Sequence, residues 1–471
     1  MEHDYEPKQA GWVMEARAHR TLKGHVVSFL TPQRTLILGF AALISVGTAL
    51  LTLPWAIKTG TISLLDAIFT ATSAVCVSGL IVVDTGAYFT TWGQGVILCL
   101  IQVGGLGIMT FSVFFYHLLG MDISLRDRMA VQDTLTYSPV RDIFHIVRMV
   151  LIYAVVLEII GTCLLFVGWL PYYPFGAALY LSVFHSVSAF CNAGFSLFEK
   201  SLIVYQSNLI INLTMISLII LGGIGFFVLH QLRRKAEHGS PLSLHTRLVV
   251  ATSAILIVAG ALLFFLFEQK NTLAGLPLKS SLLISLFQSV TARTAGFSTV
   301  DFWQLSDATL FIFVIFMFIG ASPGSCGGGV KTTNLTILFF IAWNRFLGRS
   351  EVNMLKRTLP KETVTRSITL LVVSLLVVTL VLILLNIFQG GMAPHPQTRG
   401  LFLELLFETI SAFGTVGLST GATATLTPLS KTLIIITMFV GRLGPLTLAF
   451  ALARRGEEAR FQYTEENIMV G

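Results

Sequence analysis

The stretch SAFGTVGLST (residues 411–420) follows an apolar segment and is rich in glycine and hydroxyl-bearing residues. Three other stretches match it around one glycine: SAVCVSGL (73–80), SAFCNAGF (188–195) and VTARTAGF (290–297). The shared glycines, Gly79, Gly194, Gly296 and Gly417, are 115, 102 and 121 residues apart. A single such glycine is best interpreted as a helix cap or a packing contact. Four aligned copies instead indicate a fourfold internal repeat.

The composition predicts that these repeats lie in a membrane. The chain is 54% apolar and only 12% charged, with a mean hydropathy of +0.80, whereas soluble domains are roughly 25% charged. Residues 35–57, 201–232 and 367–398 carry no Asp, Glu, Lys or Arg, and about 20 apolar residues suffice to cross a bilayer. The net charge of +7 is therefore interpreted as membrane topology rather than nucleic-acid binding, and no nucleic-acid partner is expected.

Each repeat is predicted to contain a long helix, a short apolar helix and a second long helix. The predicted long helices are 36–57, 93–118, 146–170, 206–231, 247–267, 309–341, 366–388 and 431–453. The short segments are 64–75, 177–190, 280–292 and 401–413. About a dozen residues are too few to cross the bilayer, so these segments predict re-entrant pore helices. We therefore expect an all-α polytopic membrane protein whose four tandem repeats surround one ion pore in a pseudo-fourfold arrangement.

The distribution of basic residues predicts the orientation. Of the 31 Lys and Arg residues, 22 lie in the two tails and in the connections between repeats. The positive-inside rule places those segments in the cytoplasm, so the short helices enter from outside. The predicted organisation is a cytoplasmic tail (1–35), repeat 1 (36–118), repeat 2 with its preceding loop (119–231), repeat 3 (232–341), repeat 4 (342–453) and a second cytoplasmic tail (454–471).

The glycine stretches are candidates for a cation filter. Backbone without helical partners is tolerated at membrane depth only where it lines a cavity or is buried in protein. Glycine permits unusual backbone torsions, which let carbonyl oxygens face one axis and replace the hydration shell of a cation. The candidate filter residues are Val77, Ser78, Gly79, Asn192, Ala193, Gly194, Thr294, Ala295, Gly296, Thr415, Val416 and Gly417.

A second glycine-rich stretch, MFIGASPGSCGGGVKTT (317–333), interrupts the long apolar segment of repeat 3. Glycine and proline disfavour a continuous helix, so we expect a loop within the membrane; a kink that serves helix packing is the alternative. Arg442 lies within the last predicted helix. A charge there costs about 2.5–3.5 kcal/mol on insertion scales, which predicts that it faces a wet cavity or a partner.

The four hairpin repeats, the 317–333 stretch and MFVGRLGPLTL (438–448) together resemble the membrane subunit of the Trk/Ktr/HKT superfamily of potassium transporters, most closely its bacterial KtrB type. The resemblance implies potassium uptake across the bacterial cytoplasmic membrane. It also implies that residues 320–329 form a gating loop beneath the filter and that Arg442 is an electrostatic barrier. The implied gate residues are Gly320, Ser322, Gly324, Ser325, Gly327, Gly328, Gly329, Lys331 and Arg442. Pro323 and Cys326 depart from the small polar residues expected there.

The resemblance further implies a homodimer in the lipid bilayer and a cytoplasmic ring of KtrA-like RCK subunits that bind ATP or ADP. No cofactor is expected in this chain, whose cargo would be potassium. The alternatives are a TrkH-type subunit with a TrkA-like partner, or a small-molecule carrier, although carriers with broken helices typically have two, often inverted, repeats. A membrane enzyme using His185 and Cys191 is a weaker alternative, because Cys191 aligns with a filter position.

Three further expectations concern individual side chains. Arg293 lies three residues before Gly296 and is expected to point behind the filter, toward the carboxylate of Glu408 or Asp66. Lys331 is interpreted either as snorkelling or as a gate contact. The five cysteines, which show no paired spacing, are expected to be buried free thiols.

Overall fold

The structure, a computed structural model, describes residues 32–107, 143–391 and 394–452. Most of the first predicted tail, all of the second, the end of the predicted helix 93–118 and the loop 119–142 lie outside the described residues.

The helices follow the order expected for the four repeats. Repeat 1 contains α1 (Pro32–Leu51), α2 (Leu64–Val75) and α3 (Thr91–Leu106). Repeat 2 contains α4 (Ile143–Trp169), α5 (Phe175–Phe190), α6 (Leu209–Gly223) and α7 (Phe226–His238). Repeat 3 contains α8 (Leu244–Glu268), α9 (Leu278–Thr291), α10 (Asp307–Phe318) and α11 (Thr332–Phe346). Repeat 4 contains α12 (Lys361–Gly390), α13 (Leu401–Gly414), α14 (Pro428–Leu443) and α15 (Pro445–Leu452).

The first helix of every repeat is long and apolar enough to cross a membrane. These spans are Arg34–Leu51, Val147–Trp169, Leu244–Glu268 and Lys361–Gly390, and only 22–28% of each is buried within the protein. Their outward faces carry large exposed apolar side chains such as Ile159, Val258 and Leu376. Apolar surface on this scale is suited to lipid, so the chain is a polytopic α-helical membrane protein.

The short helices α2, α5, α9 and α13 have bounds within two residues of those predicted from the sequence. Their C-terminal halves are buried almost completely; in α2, every residue from Phe69 to Val75 is buried. The Ser63 side chain caps α2 by accepting a hydrogen bond of 3.1 Å from the Asp66 amide, which satisfies one of the free N–H groups of the first turn.

The closing helices of repeats 2, 3 and 4 are interrupted, which corrects two predicted continuous helices. The predicted helix 206–231 breaks between Gly223 and Phe226 with a bend of 103°, and the predicted helix 431–453 breaks at Gly444. Gly225 and Gly444 have φ angles of 97° and 84°, which a right-handed helix cannot contain. The break that was predicted in repeat 3 is present as a loop between α10 and α11.

Helix packing links each repeat to the next. The closing helix α3 packs on α5, α6 packs on α9, α10 packs on α13, and α14 packs on α2 of repeat 1. The buried apolar clusters follow the same connections: one joins repeats 1 and 2, one lies largely in repeats 3 and 4, and one joins repeats 4 and 1. The short helices therefore meet at the centre of the described structure.

A small antiparallel hairpin that the sequence did not suggest joins α11 to α12. Asn353–Met354 pairs with Arg357–Thr358, and the turn residues Leu355 and Lys356 have φ angles of 47° and 64°. The Asn344 side chain of α11 donates a 3.0 Å hydrogen bond to the Asn353 carbonyl oxygen, which fixes the hairpin against the helix.

Candidate functional site

The four glycine stretches adopt one shared backbone geometry after their short helices. The residue two before each shared glycine is left-handed, with φ angles of 56°, 57°, 70° and 51° at Val77, Asn192, Thr294 and Thr415. The left-handed conformation costs a residue with a side chain roughly 1–2 kcal/mol, and such outliers cluster at functional sites. The shared glycines Gly79, Gly194, Gly296 and Gly417 have φ angles of 83°, 70°, 78° and 92°.

The four shared glycines lie against one another in a closed order. A Cβ built on Gly79 would lie 2.6 Å from the carbonyl oxygen of Ala193, and one on Gly194 would lie 3.0 Å from that of Ala295. The corresponding distances are 2.4 Å from Gly296 to Val416 and 2.3 Å from Gly417 to Ser78. Real Cβ atoms essentially never come within 3.0 Å of another atom. No side chain fits between neighbouring stretches, and the predicted filter residues are brought together.

The closing helices pack behind these stretches, on the side away from the shared glycines. They do so through glycines that the sequence reasoning missed. A Cβ on Gly104 would lie 2.0 Å from the carbonyl oxygen of Val75, the residue four before Gly79. Likewise, a Cβ on Gly222 would lie 1.8 Å from the carbonyl oxygen of Phe190, and one on Gly441 would lie 2.0 Å from that of Phe413. The recurrence of VGGLG (103–107), LGGIG (221–225) and VGRLG (440–444) is the sequence signal that would have revealed this contact.

Polar side chains connect the short helices to the chain beyond the glycines. The buried Glu408 of α13 accepts hydrogen bonds from the Ser419 hydroxyl at 2.5 Å, the Thr420 amide at 3.1 Å and the Thr423 hydroxyl. Gln288 of α9 donates to the Thr299 hydroxyl at 3.0 Å. His185 of α5 makes the equivalent contact with the Ser196 hydroxyl, at 3.1 Å. Residues immediately after the shared glycines are thereby held on helices of the same repeats.

The interruption in repeat 3, residues 319–331, is held by the ends of other closing helices. The Ser322 and Cys326 amides donate to the carbonyl oxygens of Gly223 and Gly222 at 3.1 and 3.2 Å. The Gly324 carbonyl oxygen accepts from the Phe226 amide at 3.0 Å. These contacts join the loop to the break between α6 and α7.

The same loop lies directly against two of the left-handed residues. The Gly328 amide donates to the Thr415 hydroxyl at 2.9 Å. A Cβ on Gly327 would lie 2.2 Å from Thr294 Oγ1, and one on Gly328 would lie 2.5 Å from Thr415 Oγ1. The loop thus packs against the stretches of repeats 3 and 4, and its glycines make that approach possible.

Arg442 joins the loop to the closing helix of repeat 1. Its guanidinium donates to the carbonyl oxygen of Cys326 and, through Nη2, to those of Gly104 at 2.5 Å and Gly105 at 3.1 Å. The last carbonyls of a helix have no partner within it and carry partial negative charge. Arg442 therefore finds the partner that its position predicted, and that partner is backbone rather than a carboxylate.

The other polar loop residues are bonded within the loop and its neighbouring helix. Lys331 Nζ donates to the Gly327 carbonyl oxygen at 2.7 Å, so Lys331 contacts the loop instead of extending toward solvent. The Ser325 hydroxyl donates to the Ser322 carbonyl oxygen at 2.6 Å, and the Ser322 hydroxyl accepts from Thr332 at 3.0 Å.

The prediction that Arg293 points toward the carboxylate of Glu408 or Asp66 is wrong. Arg293 Nη2 donates to the Ser253 hydroxyl of α8 at 3.0 Å, so the side chain does lean away from the glycines. Glu408 is instead bonded to the residues after Gly417. Asp66 forms an ion pair of 2.6 Å with Lys431, which joins α2 to α14.

The expectation for the thiols is correct in part. Cys76, Cys191 and Cys326 are buried free thiols, whereas Cys99 and Cys163 are exposed on the outer faces of α3 and α4. Cys191 Sγ donates to the Gln102 side-chain oxygen at 3.4 Å. His185 makes separate contacts, with the Leu181 carbonyl oxygen and with Ser196.

Comparison with known proteins identifies the family. A family model described as "Cation transport protein", TrkH, matches residues 23–462. The chain belongs to the TrkH family of cation transport proteins. This TrkH-family chain is 37% identical over 441 residues to Ktr system potassium uptake protein B of Vibrio alginolyticus, covering 93% of this chain and 94% of that protein. It is 38% identical over 443 residues to the protein of the same name from Bacillus subtilis (strain 168), covering 94% and 97%. The predicted KtrB-type resemblance is confirmed.

A further relative and one solved structure extend the comparison. Potassium/sodium uptake protein NtpJ of Enterococcus hirae is 35% identical over 454 residues, which are 96% of the TrkH-family chain and 99% of that protein. The crystal structure of the potassium transporter TrkH from Vibrio parahaemolyticus matches with a TM-score of 0.68 at 20% identity, covering 88% and 83% of the two chains. That likeness supports the helical membrane fold.

Proposed function

We propose that this chain is the membrane subunit of a KtrB-type potassium uptake system in a bacterial cytoplasmic membrane. Its four repeats would surround one pore in a pseudo-fourfold arrangement. The observation that supports this most directly is the closed order of the shared glycines, each of which faces a carbonyl oxygen of the next repeat. The packing of each closing helix on the next short helix supports the same arrangement.

The glycine stretches would form the filter. The left-handed residue at the end of each short helix turns the following backbone out of helical hydrogen bonding, which leaves carbonyl oxygens for a cation. Those of Ser78, Ala193, Ala295 and Val416 lie beside the shared glycines of the neighbouring repeats. The short helices would direct the partial negative charge of their C-terminal ends to the same place. Together these groups would replace the water that a potassium ion loses.

Residues 319–331 and Arg442 would form the gate. The loop packs against Thr294 and Thr415, on the side where a cation leaving the filter would pass. A positive charge beside that path would raise the energy of a passing cation, because like charges repel strongly where water is excluded. Breaking the hydrogen bonds of Arg442 to Cys326, Gly104 and Gly105 would let the loop and the charge move together.

Uptake would need no chemical step in this chain. Both termini would be cytoplasmic and the short helices would enter from outside, so a cation would reach the filter before the gate. An inside-negative membrane potential favours inward movement by about 2.3 kcal/mol per 100 mV for each charge. The named relatives support potassium as the cargo, and potassium with sodium is the second candidate because of the similarity to NtpJ.

The proposed assembly is a homodimer with a ring of KtrA-like RCK subunits that bind ATP or ADP. The names of two of the relatives described above place them in Ktr systems, which supports a KtrA-like partner over a TrkH-type subunit with a TrkA-like partner. Arg233, Arg234 and Lys235 are exposed near the end of α7, which turns sharply away from α6 and would present them to the ring. Reconstitution with either kind of partner, read as nucleotide-dependent flux, separates these alternatives.

The deciding experiment is cation flux into liposomes that contain the purified chain, driven by potassium or by sodium. Gly296→Ser places a side chain against Val416 and should lower the discrimination between the ions. Gly275→Ser is the matched control, because Gly275 has nearly the same φ (76°) but no atom within 4 Å of its Cβ position. Robust flux with unchanged selectivity in Gly296→Ser would contradict the proposed filter. If wild type shows no flux, a KtrA-like partner is added first, and continued absence of flux would contradict the proposal.

A further inference from the structure

Two buried thiols, whose side chains have no role in the proposed filter and gate, lie where repeat 2 meets the loop of repeat 3. Cys191 directly follows α5 and lies three residues before Gly194, and Cys326 lies within the 319–331 loop. Both side chains are fully buried, and the two thiols are hydrogen-bonding partners of one another. Cys326 is also a loop residue that departs from the small polar side chain expected there.

Backbone contacts hold the two cysteines in place. The Cys326 amide donates to the Gly222 carbonyl oxygen at 3.2 Å. Gly222 in turn presses on Phe190, the residue before Cys191, since a Cβ on Gly222 would lie 1.8 Å from the Phe190 carbonyl oxygen. The Cys191 sulfur lies against α3, because a Cβ on Gly105 would lie 2.8 Å from it. The ends of α3 and α6 therefore fix the positions from which the two thiols meet.

The charges around the pair suit one monovalent cation held by two thiolates. Arg442 interacts electrostatically with both thiols, and its guanidinium is bonded to the Cys326 carbonyl oxygen. Lys331 is a second cationic neighbour of Cys326. When one monovalent cation replaces both thiol protons, the two sulfurs and the cation together carry one net negative charge. The neighbouring positive charges stabilise that product, because opposite charges attract strongly where water is excluded. A divalent cation would leave the group neutral and would gain nothing from Arg442.

Soft metal ions match these sulfur ligands, and potassium does not. Thiolate sulfur selects soft metals such as Cu(I), and Cu(I) and Ag(I) are stable between two sulfur atoms. Potassium is instead held by oxygen, as in filters of carbonyl oxygens, so the proposed cargo would pass without being captured. Binding releases the two thiol protons and changes no oxidation state.

We propose that the Cys191 and Cys326 thiols form a two-coordinate site for a soft monovalent metal ion, Cu(I) or Ag(I). The bound metal links the 319–331 loop to the glycine stretch of repeat 2 and holds the loop in place, which blocks uptake. The effect on uptake rests on the gate proposed above, whereas binding of the metal does not.

The first test measures binding of silver(I), supplied as the nitrate in chloride-free buffer, to the purified chain. The parent for every measurement carries Cys99→Ser and Cys163→Ser, because these two thiols are exposed and would bind silver singly. In this parent, Cys326→Ser and Cys191→Ser each remove one of the two ligands. Each should weaken silver binding about 10²–10⁴-fold, the usual gain from a second tethered ligand.

Cys76→Ser is the matched control for loss of a buried thiol. Cys76 is equally buried and is also an electrostatic partner of Arg442, but it lies outside the proposed pair, so its loss should leave silver binding unchanged. Unchanged affinity in Cys326→Ser would overturn the site. An equal loss of affinity in Cys76→Ser would also overturn it, because the pair would then have no special role.

The second test measures potassium flux into liposomes, with each variant compared with its own flux before silver is added. Silver should block flux in the parent and in Cys76→Ser but not in Cys326→Ser, and dithiothreitol, which competes for the metal, should restore flux in the parent. Tight binding with unchanged flux would overturn the proposed effect on the loop. A chain that carries no flux even with a KtrA-like partner would contradict the proposed function, and the silver titration would still decide the site.

Discussion

Two glycines of α3 provide a matched test of how the closing helices support the proposed filter. Gly95 and Gly104 lie in the same helix, nine residues apart. A Cβ on Gly95 would have no atom within 4 Å, whereas one on Gly104 would lie 2.0 Å from the Val75 carbonyl oxygen. The perturbation is the same in both cases: one methyl group, added as Gly95→Ala or Gly104→Ala.

The expected difference follows from these distances. Alanine in place of glycine favours a helix by about 0.5–1 kcal/mol, and this gain applies to both variants. A carbon and a carbonyl oxygen normally approach to about 3.3 Å, so Gly104→Ala forces α2 and α3 apart by about 1.3 Å. Overpacking costs typically 1–3 kcal/mol, and here the obstructing atom is backbone and cannot rotate away. Gly104→Ala should therefore be less stable than Gly95→Ala by about 1–3 kcal/mol.

Two readouts check this prediction. Thermal unfolding of the purified protein in detergent should give a lower midpoint for Gly104→Ala than for wild type, and an equal or higher midpoint for Gly95→Ala. Because Val75 lies four residues before Gly79, potassium-over-sodium discrimination in liposomes should also fall in Gly104→Ala alone. Equal midpoints and equal discrimination in the two variants would refute the proposed support.

Three other substitutions have expected outcomes. Lys431→Met leaves Asp66 without its cation. Because both side chains are partly exposed, the unfolding free energy should fall by only about 1 kcal/mol. A measurable loss of stability in Asp66→Asn with none in Lys431→Met would contradict the ion pair. Glu408→Ala removes the acceptor of two hydroxyls and one amide, each worth about 1–3 kcal/mol when left unpaired, so ion discrimination and thermal midpoint should fall more than in Glu408→Gln. Gly328→Ala places a methyl group 2.5 Å from Thr415 Oγ1 and should displace the loop, which raises flux measured without a partner protein; flux at the wild-type level would count against the loop as a gate.

The short helices and the glycine stretches were predictable because repetition carries the information. Each stretch alone is a weak signal, but the four copies share a glycine, a preceding apolar segment of similar length and a similar spacing. The left-handed residue before each glycine was not specified by residue type, since Val77, Asn192 and Thr294 have little in common. It follows from the turn that ends the short helix in every repeat.

The breaks in the closing helices of repeats 2 and 4 were only partly signalled by local sequence. Each glycine of LGGIGFF costs a helix only about 1 kcal/mol, so the sequence of repeat 2 does not by itself exclude a continuous helix. In GRLGPL, Gly444 and Pro445 form a helix-breaking pair that the predicted helix 431–453 overlooked. Tertiary contacts add to these local preferences. Gly222 and Gly441 press against the carbonyl oxygens of Phe190 and Phe413, and carbonyls freed at the end of α6 accept hydrogen bonds from the 319–331 loop.

The predicted carboxylate partner of Arg293 was wrong because charge complementarity does not show how deep each side chain lies. Arg293 and Glu408 were paired from charge complementarity, but they lie at different places relative to their short helices. Arg293 lies two residues beyond the end of α9 and three before its shared glycine, whereas Glu408 lies within α13 and nine before its own. The two charges therefore lie at different depths if the short helices are related by the repeat. Counting from the shared glycines would have removed this candidate.

The repeats are alike at the shared glycines but differ at the ends of their closing helices, and this difference would make gating asymmetric. Four similar stretches are enough to form a ring of carbonyl oxygens. At the inner side the repeats differ: at the position where repeats 1 and 2 have Gly105 and Gly223, repeat 4 has Arg442. In repeat 3 the closing helix is interrupted by the 319–331 loop. Arg442 bonds both to that loop and to the helix end of repeat 1, so movement of the loop would break either its own hydrogen bond to Arg442 or those between Arg442 and α3. If the guanidinium moved with the loop, as the proposed gate requires, one movement would both open the path and displace the charge. Four helix ends without an arginine could not do this.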